Sequence, residues 1–367
     1  MTVFDYDQVR PSDIPLIVAS AEIGVSILTL PQNITKITQS ADGWMVILLS
    51  GIVMICIGWF TGQLIVRYPE RHLSDIATQL LGVWATRILF FIYGLVMLNY
   101  FAVIIRLTGT LAKMYFFDLT PIEVLVLIFA LAIIYCVSGL RIAIMRINQM
   151  FIPLILAALA IILLFSFEHI RWANFGPIFA TDWRELTRGI LGTLPAFNGG
   201  IVILYYGFLT KPSPLIPRQI MYGTVIVTAV YTAIFICCVG VLGLYTSINS
   251  LFPTIEMAKE VEAAGGFFER LQSILFAVWM LAIFTSAVFA LDISTMMMQS
   301  VFQKMRKMPW ILLLSPCGYF LAMIPRNDYE ILNWSKWAGI AMFVSMMPLP
   351  FILLLAHRLK RRRATHG

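Results

Sequence analysis

The sequence predicts an all-α membrane protein of about ten transmembrane helices, two of them interrupted near their middles. Three observations predict it. Apolar runs recur along the whole chain, with 60% of residues hydrophobic and only 12% charged, about half the ~25% charge of an ordinary soluble domain. Glycine and proline stand inside the first and sixth runs, where an unbroken helix would exclude them. Lysine and arginine fall between the runs, and unevenly on the two sides.

A spanning helix needs about 20 mostly apolar residues. That length places spans near 14–35, 44–66, 86–115, 121–139, 147–167, 187–209, 218–245, 270–301, 309–325 and 333–357. The third and eighth exceed the bilayer, so they tilt or project beyond it. The longest polar intervals, Phe167–Leu186 and Ser247–Gln272, are loop-sized. They leave room for one transmembrane domain over residues 1–367 and for no soluble one. The leader carries Asp5, Asp7 and Asp13 against Arg10 and has no small-residue cleavage site, so the first run is expected to stay as a helix. Cys56, Cys136, Cys237, Cys238 and Cys317 all fall within apolar runs and read as buried small hydrophobes.

The net charge of +7 sets orientation and does not point to nucleic acid. One side collects Arg10, Arg67, Arg71, Arg141, Arg146, Lys211, Arg218, Lys304, Arg306, Lys307 and the tail from Arg358 to Arg363. The other holds Lys36, Lys113, Arg171, Arg184, Lys259, Arg326 and Lys336. The richer side is expected to be cytoplasmic, with both termini there, which requires an even number of spans. The basic tail 358–367 suits anionic lipid.

The first span places Glu22, Gly24, Val25 and Ser26 together near its middle, with Ser12 and Asp13 available to cap its start. The sixth carries Gly192, Pro195, Phe197, Asn198, Gly199 and Gly200. Broken backbone at membrane depth is tolerated where it lines a protein cavity. Each break opens a block of five spans, about 13–168 and 187–358, and an odd number per block inverts the second against the first. This is the inverted-repeat pattern in which solute sits between half-helices. A zwitterion fits: carboxylate on the half-helix beginning at Val25–Ser26, amine toward the carbonyls ending near Pro195–Phe197. The competing reading is that glycine and proline only kink or pack these helices.

Other intramembrane polar groups are few. Glu22 could bind a ligand's amine, carry a proton, or pair with a cation, for which Arg106 in the third span is the candidate. Asp292 reads as a gate, a proton site, or the partner of a base at the inner rim. His72, His169, His357 and His366 lie in loops or at span ends. No HExxH, GxSxG or Walker A pattern is present, so no enzyme, ATPase, metal site or cofactor is expected.

The run Gly24-Val-Ser-Ile-Leu-Thr-Leu-Pro31 resembles the opening motif of the spore germination permeases, the B subunits of germinant receptors. The span count, the Asn198–Gly200 break and the absence of a soluble domain strengthen the resemblance, which covers essentially the whole chain. It implies the amino acid–polyamine–organocation superfamily and a leucine-transporter-type fold. It implies a spore inner membrane protein that binds a small germinant, commonly an amino acid, beside an A subunit and a lipoprotein C subunit. In such a fold the third span walls the site, which adds Asn99, Tyr100 and Val103; the alternative is that Tyr100 packs and Asn99 bonds a neighbouring helix. The Thr285-Ser286 pair in the eighth span resembles a sodium site of sodium-coupled relatives, or else helps hold helices together. Two functions stay open: a receptor subunit, and a proton- or ion-coupled amino-acid permease.

Overall fold

The computed structural model describes residues 8–24, 26–265 and 271–366. Among them the chain forms α1 (Ile14–Glu22), α2 (Ser26–Thr38), α3 (Gly43–Arg67), α4 (Leu73–Leu81), α5 (Val83–Tyr115), α6 (Ile122–Ser138), α7 (Arg141–Glu168) and α8 (Trp183–Thr193). It continues through α9 (Gly199–Tyr205), α10 (Ile216–Asn249), α11 (Pro253–Gly265), α12 (Leu271–Val301), α13 (Lys307–Ala322), α14 (Asp328–Met346) and α15 (Pro348–His366).

Six stretches are long and apolar enough to cross a membrane as continuous spans: α3, α5, α7, α10, most of α12, and α14 with α15. The pair α1–α2 is a seventh, bent by 61°. The shorter α6, the broken pair α8–α9 and α13 complete the ten expected segments.

The predicted breaks fall where the backbone leaves the helix. Ile23 ends α1 with φ −77° and ψ 89°, and α2 restarts at Ser26. Asp182 caps α8, which runs through a short 3-10 turn at Leu194–Ala196 until Phe197 departs at φ −110° and ψ 53°. Pro195 has no N–H to continue the ladder.

Two expectations need correction. The interval 247–272 contains helix α11, and a further short helix, α4, precedes the third span. Both buried rows are carried by few residues, such as Leu73, Ile76, Ala77 and Leu80 in α4, too few to register as an apolar run. Cys56 and Cys317 are exposed on the apolar perimeter instead of buried.

The longest interfaces join α5 to α12 and α3 to α10. Along α3, a Cβ at Gly51, Gly58 or Gly62 would lie 2.4–2.9 Å from Thr228, Ile220 and Pro217 of α10. In a bilayer, small residues of this kind let backbones approach where the hydrophobic effect offers little.

Residues that the charge pattern assigned to one face meet at one end. The segment before α1 pairs with the segment after α9 through Val9 N–H to the Leu209 carbonyl (2.8 Å) and Lys211 N–H to the Val9 carbonyl (2.9 Å). Arg146 reaches Asp13 (3.5 Å), and Tyr68 bonds His357 (2.6 Å). At the opposite end, Asp42 accepts from the backbone N–H groups of Phe179, Ala180 and Thr181 at 2.7–3.1 Å. Partial burial pushes the Asp42 carboxyl upward, but these donors and the Thr181 hydroxyl outweigh it and hold it below the usual carboxylate value.

Candidate functional site at the crossing of the two breaks

A cavity of about 20 Å³ lies where the two interrupted spans meet. The first contributes Ala21, Glu22 and Ser26; the second contributes Pro195, Ala196, Asn198 and Val202. Met97 and Tyr100 of α5, Ser286, Phe289 and Ala290 of α12, and Met342 of α14 close it. That volume suits about one water molecule. The site is shut around itself, and its two methionines are its most flexible walls.

Glu22 is the charged-type residue of the cavity and is almost wholly buried. Its Oε1 accepts from Thr224 at 3.4 Å, and the amides of Gly199 and Gly200 lie beside the carboxylate. A Cβ at Gly199 would stand 2.3 Å from the Val18 carbonyl and 2.6 Å from Glu22 Cγ, so only glycine lets the second break approach the first this closely. Oε2 of Glu22 has no hydrogen-bond partner among the described residues.

Three carbonyls at the two breaks are satisfied from within. Tyr231 of α10 donates to the Glu22 carbonyl at 2.6 Å and lies 3.4 Å from that of Ala196. The Asn198 side chain donates to the Pro195 carbonyl. Of the acceptors that the sequence assigned to a ligand amine, the Pro195 and Ala196 carbonyls are therefore already engaged, and Glu22 Oε2 is left without a donor among the described residues.

Of the residues predicted for the site, Glu22, Ser26, Tyr100, Asn198 and Ser286 line the cavity. Val25 lies outside the described residues. Gly24 serves close packing: its Cβ would fall 2.3 Å from Ser286 Oγ. Gly199 and Gly200 contribute backbone only. Phe197 does not face the cavity; it packs edge-on against Tyr231, ring centroids 5.2 Å apart. Val103 is buried away from it. Asn99 accepts from Trp334 Nε1 at 3.0 Å and so ties α5 to α14.

The Thr285-Ser286 pair divides between two surroundings. Ser286 faces the cavity, while Thr285 meets Ser20 at 3.4 Å, and Ser20 donates to Asn148 at 2.8 Å. Each hydroxyl also bonds the Ala282 carbonyl, so this cluster holds α1, α7 and α12 together.

Arg106 and Glu22 are held by different elements. Arg106 donates to the Pro325 carbonyl at 2.9 Å, beyond the end of α13. Asp292 is fully buried and gathers three partners near the starts of α7 and α13: Arg141 at 3.3 Å, Lys307 at 3.2 Å, and the Tyr206 hydroxyl at 2.9 Å. Of its three sequence readings, pairing with bases at the rim is the one with contacts on the page.

Sequence reasoning missed Met97, Val202, Phe289, Met342 and Tyr231. All but Tyr231 are apolar residues of helices that are apolar on every side, so no periodicity marks the face that meets the cavity.

Residues 8–331 match the model of the spore germination protein family. The chain belongs to that family. Similar relatives include spore germination protein GerLB of Bacillus cereus, 26% identical over 99% of this chain and 98% of its own length. Spore germination protein A2 of Bacillus subtilis (strain 168) is 26% identical, covering 95% of each chain. YndE of the same strain is 22% identical, again over 95% of each. Among solved structures, that of MhsT in complex with L-phenylalanine superposes with a TM-score of 0.66 at 13% identity, covering 94% of this chain and 97% of that one. The germination protein thus has the leucine-transporter-type fold, with its first and sixth spans interrupted. The family model and the curated relatives are named for spore germination, and the fold is shared with MhsT.

Proposed function

We propose that this germination protein is the B subunit of a nutrient germinant receptor in the spore inner membrane, with both termini cytoplasmic, working beside an A subunit and a lipoprotein C subunit. It binds a small germinant, an amino acid, in the cavity where the two breaks cross. The observation that carries this reading is the buried Glu22, whose Oε2 has no hydrogen-bond partner among the described residues and which lines a cavity shared by both interrupted spans. The ligand's ammonium takes Oε2, and its carboxylate takes the start of α2 at Ser26, where helix N–H groups are unpaired. Because the cavity is only about 20 Å³, admitting such a ligand requires the walls to separate. Binding therefore selects a different arrangement of the half-helices, and a differential affinity of that kind is what a receptor needs to report occupancy.

A second reading, a proton- or ion-coupled amino-acid permease, is favoured by the likeness of fold to MhsT, whose structure holds L-phenylalanine. Fold alone does not separate the two. The test exposes spores lacking the gene to single amino acids, sugars and nucleosides. Loss of response to one nutrient class is expected, and Glu22→Gln at wild-type abundance is expected to raise the half-saturating germinant concentration at least ~10-fold, the factor for ~1.4 kcal/mol. Unchanged nutrient responses, together with uptake of labelled amino acid by liposomes holding the purified protein, would replace the receptor reading with the permease.

A further inference from the structure

A second cavity lies away from the central site. A cleft of about 460 Å³ opens at the outer end, between the last turns of α5 and α10 and the first turns of α11. Its size falls within the range of small-molecule sites, ~300–1,000 Å³. Met114, Leu251 and Phe252 give it apolar walls, and Thr246, Asn249 and Ser250 give it a polar rim.

At the edge of this cleft sits an ammonium group already held as a ligand would be held. Lys259 Nζ lies 4.7 Å from the centre of the Tyr115 ring and 3.0 Å from Glu256 Oε1. The Tyr115 hydroxyl faces the same carboxylate oxygen at 3.4 Å. An aromatic face plus a carboxylate is the recognition chemistry of organic cations. The Lys259 and Glu256 side chains are 36% and 37% exposed, so the pair is open to solvent and only weakly bound to itself.

We propose that this outer cleft binds an organic ammonium compound, whose cation displaces Lys259 from Glu256 and the Tyr115 ring while its apolar body lies against Met114, Leu251 and Phe252. Lys259 is thus a tethered competitor that sets the affinity of the site. Occupancy bears on the rest of the fold through α11, where Thr254 donates to the Ile27 carbonyl at 2.9 Å, in the first turn of α2. The inference stands apart from the central site and does not require it.

The test titrates the full-length protein in nanodiscs with n-butylammonium, with n-butanol as the uncharged counterpart, by calorimetry. Lys259→Met is expected to tighten n-butylammonium binding ~2–5-fold, the range that an exposed pair of this kind can supply, and Glu256→Gln and Tyr115→Leu to weaken it by a similar factor. Tyr115→Phe, which keeps the ring, retains binding, and Glu22→Gln leaves it unchanged. The proposal is overturned if Lys259→Met leaves the affinity unchanged or weaker, if n-butanol binds as tightly as the cation, or if Glu22→Gln removes the signal, which would assign it to the central cavity. Because Lys259 is half-exposed, its replacement leaves the fold intact, and the gain it predicts cannot come from misfolding.

Discussion

Replacing Gly24 by alanine tests how tightly the first break is seated on α12. The added methyl would lie 2.3 Å from Ser286 Oγ and 3.2 Å from Ser286 Cβ. Rotating Ser286 away relieves the first contact and gives up its 3.2 Å bond to the Ala282 carbonyl. The second contact persists, because no rotation moves Cβ, so α12 or the break itself must shift by a few tenths of an ångström. Overpacking of this kind costs about 1–3 kcal/mol. The melting midpoint of the purified protein in detergent is expected to fall, and the germinant dose–response curve to move to higher concentration. Ser286→Gly removes both offending atoms, so the double variant should be less destabilised than the two single variants summed, by about 1–2 kcal/mol of coupling. Strict additivity, or a Gly24→Ala protein indistinguishable from wild type in both measurements, would refute the packing argument and reopen Gly24 as a residue that faces empty space.

Three further outcomes are expected. Tyr231→Phe keeps the ring contact with Phe197 but removes the donor shared by the Glu22 and Ala196 carbonyls; it should cost about 1–3 kcal/mol and speed amide exchange at both breaks, and unaltered exchange would count against the shared staple. Asp292→Asn strips two buried-side cations of their counter-charge and should cost about 3–5 kcal/mol, read as lost folded yield that a triple variant with Arg141→Met and Lys307→Met recovers. The Asp42 carboxyl is held below its ordinary 3.8, so the stability it lends is present above that value and vanishes as pH falls through the folded one. Fluorescence of Trp183, next to the anchored loop, should therefore hold steady from pH 7 to 5 and change only below about 4; a transition near neutrality would contradict the assignment.

The spans were legible because lipid demands unbroken apolar runs, and α5 and α12 carry such runs from end to end. The breaks were legible for the complementary reason: Gly24, Pro195 and Gly199–Gly200 are residues that an intact helix disfavours. Glu22 announced itself as an acid in an apolar setting. The orientation of ordinary side chains was not legible. Phe197 and Met342 have the same chemistry as their neighbours, and only the local backbone at the break and the rotation of α14 decide that one packs on Tyr231 while the other walls the cavity. Tyr231 lies a whole span away from either carbonyl that it serves, and no local pattern joins them. The partners of Asp292 were visible as members of the basic face, yet which two of them reach it depends on how α7 and α13 begin.

That arrangement around Asp292 has a consequence for how this end of the helices is held together. One carboxylate answers to two cations from two different helices, so removing either cation leaves the acid still neutralised. If the start of α7 shifts, Lys307 still faces the acid, and if the start of α13 shifts, Arg141 does, so each helix backs up the other's hold on α12.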